Sequence, residues 1–207
     1  MLNYLPHYLK LTLITGLLAC ISHLAYAVSP PPVIDGVNKF AYKIGARGPG
    51  GGFIFFVDYY DQYRGFTYLE AAPTDASTAV AWCDNTTTST PVATGWAANA
   101  VGKGQANTDA MLGVCSSGAA NIADKYIAPN GKADWFLPSM GEAMLMYTNL
   151  RQAGVGGFAG VVGFASGSYW SSTELDSGTA WVQGFFSGYQ YIDGKHDSLR
   201  VRAVRAF

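Results

Sequence analysis

Cysteine, histidine and basic charge are all scarce in this chain, and each shortage removes a class of chemistry. The 207 residues hold three cysteines and three histidines. Cys20, His7 and His23 lie within the first 27 residues, so a chain cut after Ala27 keeps Cys83, Cys115 and a single histidine, His196. Serine hydrolase chemistry needs a base beside its nucleophile. No G-x-S-x-G elbow accompanies that one histidine, and nothing singles out a carboxylate pair for glycoside hydrolysis. Lysine and arginine total 13 against 14 acidic residues, and without the first 27 residues the balance is 12 against 14, a formal charge of −2. Such a chain has no global field to draw in nucleic acid. No apolar run reaches the ~20 residues that a membrane-spanning helix needs.

What is present begins with an export signal over residues 1–27. Lys10 precedes an apolar run from Leu11 to Ile21, and Ala25, Tyr26 and Ala27 form an A-x-A cleavage site. Leu17, Leu18, Ala19 and Cys20 also resemble a lipobox, which would leave a lipid anchor on Cys20. The chain is thus expected to be secreted or at the cell surface, with a lipoprotein of the outer membrane as the alternative. Residues 28–38 contain SPPPV, an extended proline-rich tether. From Lys39 to Phe207 the composition is continuous, rich in glycine and aromatics, and long enough to bury one core unaided.

Within that domain, GARGPGGG at residues 45–52 reads as a turn. A phosphate-binding loop is excluded, since G-K-[ST] is missing and an apolar strand, Phe53 to Val57, follows instead of a helix. Tyr59, Tyr60, Asp61, Gln62 and Tyr63 make a turn that serves either as a binding lip or as packing at the sheet margin. Phe66 to Ala71 is the return strand, and Ala79 to Cys83 a further one. Two short helices are expected over Asn107 to Val114 and Ser117 to Tyr126. In an oxidising compartment Cys83 and Cys115 pair as a disulfide, worth roughly 3 to 4 kcal/mol by loop closure.

The last third is the most ordered by pattern. Ser139, Met140, Gly141 and Glu142 form a capping box, and Ala143, Met146, Tyr147 and Leu150 give an apolar stripe that stops before Gly154. Pro138 holds Trp135 to Leu137 extended. After Gly167 come short aromatic strands with Gly, Ser and Asp turns, closing in one final strand, LRVRAVRAF.

DWFLPS-x-x-E, YWSST, AWVQGF and VRAVRAF, with YKIGARGPGGGFIFFVD and GKGQANTDAML, resemble the C-terminal domain family of the Legionella collagen-like adhesin over nearly all of residues 39–207. The resemblance implies an α+β, C-type-lectin-like domain of short antiparallel strands, two or three helices and long loops, related to the formylglycine-generating-enzyme scaffold. The collagen-like repeats of that adhesin are missing, because GARGPGGG is too short for a Gly-X-Y triple helix. Neither Cys83 nor Cys115 lies where the catalytic cysteines of the formylglycine-generating enzymes fall, so a non-catalytic domain without a cofactor is expected.

For function the resemblance implies binding of an extracellular glycan, sulfated glycans above all. The residues for it are Arg200 and Arg202 on one face of the final strand, with Lys195 and His196 in the preceding turn, since guanidinium groups grip sulfate by paired hydrogen bonds. A solvated strand face accounts for alternating arginines equally well. A homo-oligomer would gather several weak patches. C-type-lectin-like domains also act as retroelement-diversified displays, for which Tyr169, Ser171, Ser172, Tyr189, Tyr191, Asp193, His196 and Asp197 are suitable, and the ligand is then a protein. The calcium-ligand motifs E-P-N, Q-P-D and W-N-D do not occur, and Asp193 to Asp197 reads as a hydrated acidic turn with no metal. Trp82, Trp135, Trp170 and Trp181 read as core, whereas Trp96, in a Gly and Ala-rich loop, is a candidate ligand platform.

Overall fold

The computed structural model describes residues 40–87, 89, 96–154 and 167–207, except for the side chain of Trp96. The expected leader with Cys20, the expected proline-rich tether and part of the threonine-rich loop fall outside the described residues.

The apolar run Phe53–Val57 forms β1, and beyond the tyrosine turn it pairs antiparallel with β2, Tyr68–Ala71. β3 is Ser77–Val80, earlier than the 79–83 expected. The chain leaves the sheet there because Trp82 N–H donates to the Lys195 carbonyl while Cys83 turns towards Gly118 and its disulfide with Cys115. Three helices follow: α1 Trp96–Asn99, α2 Gly104–Leu112 and α3 Ala119–Asp124. The last two correspond to the pair expected around Cys115.

Ser139 caps α4, Met140–Met146, with the full reciprocal box: Ser139 Oγ accepts from Glu142 N at 3.3 Å, and Glu142 Oε2 accepts from Ser139 N at 2.8 Å. The helix runs straight on into a π-helical turn, Tyr147–Gln152, and stops at Gly154, whose φ of 63° reverses the chain. Five strands complete the domain: β4 Ser168–Glu174, β5 Thr179–Gly184, β6 Gln190–Gly194, β7 Leu199–Val201 and β8 Val204–Ala206.

These elements make a mixed α+β fold with two sheets. One is antiparallel, in the order β1-β2-β8. The other has the order β3-β7-β4-β5-β6 and is antiparallel except where β4 and β7 run parallel. The closing run LRVRAVRAF is therefore two strands in two sheets, not the single strand its alternation predicts. Arg202 and Ala203 form the crossing: Arg202 Nη1 donates to the Ala72 carbonyl at 2.8 Å, and Ala72 N–H donates to the Ala203 carbonyl at 2.9 Å. Three tryptophans fill the space between the sheets and helices. Trp82, Trp135 and Trp170 are buried, and each indole N–H meets a backbone carbonyl, of Ser171, Lys132 and Val80 respectively, so burial leaves no donor unpaired.

The glycine-rich turn proves to be an anion cradle for the chain's own carboxylate. Gly50 and Gly52 donate their N–H groups to Glu70 at 3.0 and 2.6 Å, and Arg205 pairs with the same buried group at 3.2 Å. A Cβ at Gly52 would lie 2.0 Å from the Ala71 carbonyl oxygen, so only glycine allows the loop to approach this closely.

Glu142 is a second buried carboxylate, accepting from Gly102, Gly104 and Ser139 amides. Burial pushes its pKa from 4.5 up to about 7, against the opposing pull of those amides. The folded state holds this proton more tightly than the unfolded chain. Its contribution to stability is therefore complete below about pH 4.5 and is lost as pH rises towards 7. Urea denaturation of the protein should show stability falling between pH 5 and pH 7 by at most ~1.4 kcal/mol per pH unit from this group. Glu142→Gln should flatten that slope. An unchanged slope in the variant contradicts the assignment.

Candidate functional site

The cations expected to form a polyanion patch are mostly turned inward. Arg202 is buried, and its Nε and Nη2 grip Asp75 Oδ1 at 2.9 and 2.6 Å. Arg200, whose side chain is 30% exposed, donates from Nη1 to the other oxygen of Asp75 at 3.0 Å. Tyr169 OH donates to the same carboxylate, and burial together with Asp75 raises the phenol pKa. Asp75 thus holds both guanidiniums, of which Arg200 is the one that reaches solvent. Lys195 is fully buried, ion-paired with Glu174 and stacked over the Trp82 ring with Nζ 4.7 Å from its centroid. These placements correct the reading of Lys195 and Arg202 as surface groups. Arg202 sits at the crossing between the two sheets, held to the Ala72 carbonyl, and the Lys195 backbone is fixed between Trp82 and Gly178, which turns its side chain over the Trp82 ring.

His196 stands apart, with 76% of its side chain exposed and Nε2 3.7 Å from Asp197. Burial, then a hydrogen bond shared with Asp197, raises the Asp193 pKa. Ser171 and Ser172 are buried, as is Tyr169, because β4 is flanked by strands on both sides. Trp96 begins α1, and its side chain lies outside the described residues. The Cys83 and Cys115 sulfurs come close to Asp84, but both are consumed by the disulfide and are not available to a metal.

The aromatic part of the expected site is brought together. Tyr189 and Tyr191, two residues apart, lie on one face of the β6 strand and its approach, and they are 75% and 37% exposed. Tyr191 crosses Gly184 of β5 and its hydroxyl bonds Ser168 Oγ on β4. Next to Ser168, Gly167 leaves the space that Arg200 fills, since a Cβ there would lie 2.8 Å from Arg200 Nε. Ser168, Tyr191 and Tyr189 share one face of the sheet, whereas Arg200 is in register with Tyr169 and points to the other face. Phe186, which the sequence reading passed over, is the most exposed large hydrophobic among the described residues, at 80%.

The turn that presents Phe186 is held from below. Phe185 is fully buried and meets Tyr169 and Tyr147 edge-on, with centroids 4.8 and 5.9 Å apart. Gly188, at φ 78°, leaves room for the Tyr147 ring, which a Cβ would meet at 2.5 Å. An inward and an outward phenylalanine side by side are a simple sequence signal, FF, that periodicity alone does not resolve.

A scan against protein-family models finds no match for this chain, and a search of curated proteins finds none either.

The contrast between the two arginines is measurable. Arg202→Ala leaves Asp75 in a mostly buried place without its main partner and should cost roughly 3 to 5 kcal/mol in urea denaturation. Arg200→Ala, at a part-exposed group, should cost about 1 kcal/mol or less. Equal small losses would contradict the inward placement of Arg202.

Proposed function

We propose that this chain is an exported, non-catalytic binding module of the C-type-lectin-like kind, and that it engages a protein partner through Phe186, Tyr189 and Tyr191. The observation that carries this reading is the exposure of Phe186 and Tyr189, at 80% and 75%, on a turn anchored by a buried Phe185. Rigid aromatics give contact area at little entropic cost, and Tyr and Arg dominate the energetics of protein interfaces. The pairing of Lys195 and Arg202 with internal carboxylates supports a protein over a sulfated glycan, because a polyanion site needs several cations that face solvent. The resemblance to the adhesin domain family supports the extracellular setting.

The test is a pair of arrays, extracellular proteins on one and glycans on the other, probed with the chain purified from an exporting host and with a Phe186→Ser, Tyr189→Ser variant. Protein hits should weaken by about 30-fold or more in the variant, the scale of an interface hot spot. The melting temperature should barely move, since both side chains lie in solvent. Protein hits that survive the double substitution, or hits confined to glycans, would overturn the reading.

A further inference from the structure

A concave site lies away from the β5–β6 turn, between the tyrosine turn after β1 and the π-helical turn after α4. It is a cleft of about 310 Å³, with Ile44, Phe56 and Val57 as apolar lining and Tyr60, Gln62 and Asn149 among the groups that border it. That volume sits at the lower end of small-molecule sites. Tyr147, the first residue of the π-helical turn, packs beneath Gly188, whereas Asn149, two residues on, borders the cleft. A single helical turn thus supports two separate surfaces, and π-helical turns are often found at functional sites.

The border is built rather than incidental. Asp58 is buried, and its carboxylate accepts from Tyr60 N at 3.3 Å and Tyr63 N at 2.7 Å, which fixes the turn. Asp61 within it has a φ of 52°, the one positive value among the described non-glycine residues, and such backbone is retained where the surroundings over-determine it. Tyr63 is committed to Phe56 and Phe66, and Tyr59 meets Phe40 edge-on, so their rings are occupied. Tyr60 is not so engaged and is 61% exposed. Asn149 donates Nδ2 to the Phe55 carbonyl at 2.9 Å, which orients the amide and leaves its Oδ1 as an acceptor.

We infer that this cleft binds a neutral saccharide unit. A pyranose ring has an apolar C–H face suited to one open aromatic platform, Tyr60, and hydroxyls suited to the Gln62 and Asn149 amides. The lining contains no lysine, arginine or histidine, and its one ionisable carboxylate, Asp58, is already spent on backbone amides. An anionic sugar therefore meets no counter-charge. A quaternary ammonium ion favours aromatic faces gathered into a cage, and here a single ring is open.

Saturation-transfer NMR of the chain from an exporting host tests this, with cellobiose, lactose and maltose as probes and tetramethylammonium as comparator. At least one disaccharide should receive transfer with a dissociation constant on the order of 1 mM, as befits so small a contact. Tyr60→Ala and Gln62→Ala, both at exposed side chains, should each weaken it by about tenfold, while Tyr189→Ala leaves it unchanged. No transfer to any sugar, transfer that survives Tyr60→Ala, transfer lost with Tyr189→Ala, or a preference for tetramethylammonium would each overturn the inference. The Tyr189→Ala arm keeps the outcome independent of the protein-partner reading.

Discussion

Two arginines leave water when the last nine residues cross from one sheet to the other, and the fold depends on their neutralisation. Arg202 at the crossing takes Asp75, and Arg205 beyond it takes Glu70 and Asp134. A guanidinium out of water is tolerated only when its charge is paired. The consequences reach far along the chain. Glu70 must be cradled by the Gly50 and Gly52 amides, which dictates the glycine-rich turn. Asp75 must sit beside β7, which fixes the chain between β2 and β3. Lys195 with Glu174 is a further buried ion pair, at the end of β4.

This internal use of charge shapes the surface. Pairing Arg202, Arg205 and Lys195 inside takes most of the C-terminal cations off the surface. The outward groups on the β5–β6 turn are aromatic instead. α4 and its π-helical continuation lie behind both candidate sites, through Tyr147 under the Phe186 turn and Asn149 at the cleft. A helix tied down by a capping box and by the Glu142 contacts to Gly102 and Gly104 gives each site a firm back.

Local features of the fold were legible in the sequence. The Ser139 to Glu142 box spans four residues and needs no tertiary knowledge. The apolar runs of β1 and β2, the helices flanking Cys115, the disulfide pair and the buried Trp82, Trp135 and Trp170 follow from pattern and composition. The charge pairing was not legible, since Arg202 finds Asp75 across 127 residues. Alternation placed Arg200 and Arg202 on one face of a strand but could not reveal that the strand is interior or that it breaks at Arg202. For the site, Tyr189 and Tyr191 were identified by residue type. Phe186 and the cleft were missed or left undecided, because exposure of an aromatic depends on what the fold places beside it. The π-helical turn has no signature in YTNLRQ, where the spacing fits an ordinary helix.

The most direct measurement of whether recognition here is aromatic or electrostatic is elution of the purified chain from a heparin column across a sodium chloride series. With Arg202 and Lys195 held inside, the chain should elute unretained at about 0.15 M salt, where screening has already weakened isolated surface charges. Retention well above that ionic strength, abolished by substituting Arg200, would contradict the account and return the C-terminal strands to a polyanion site.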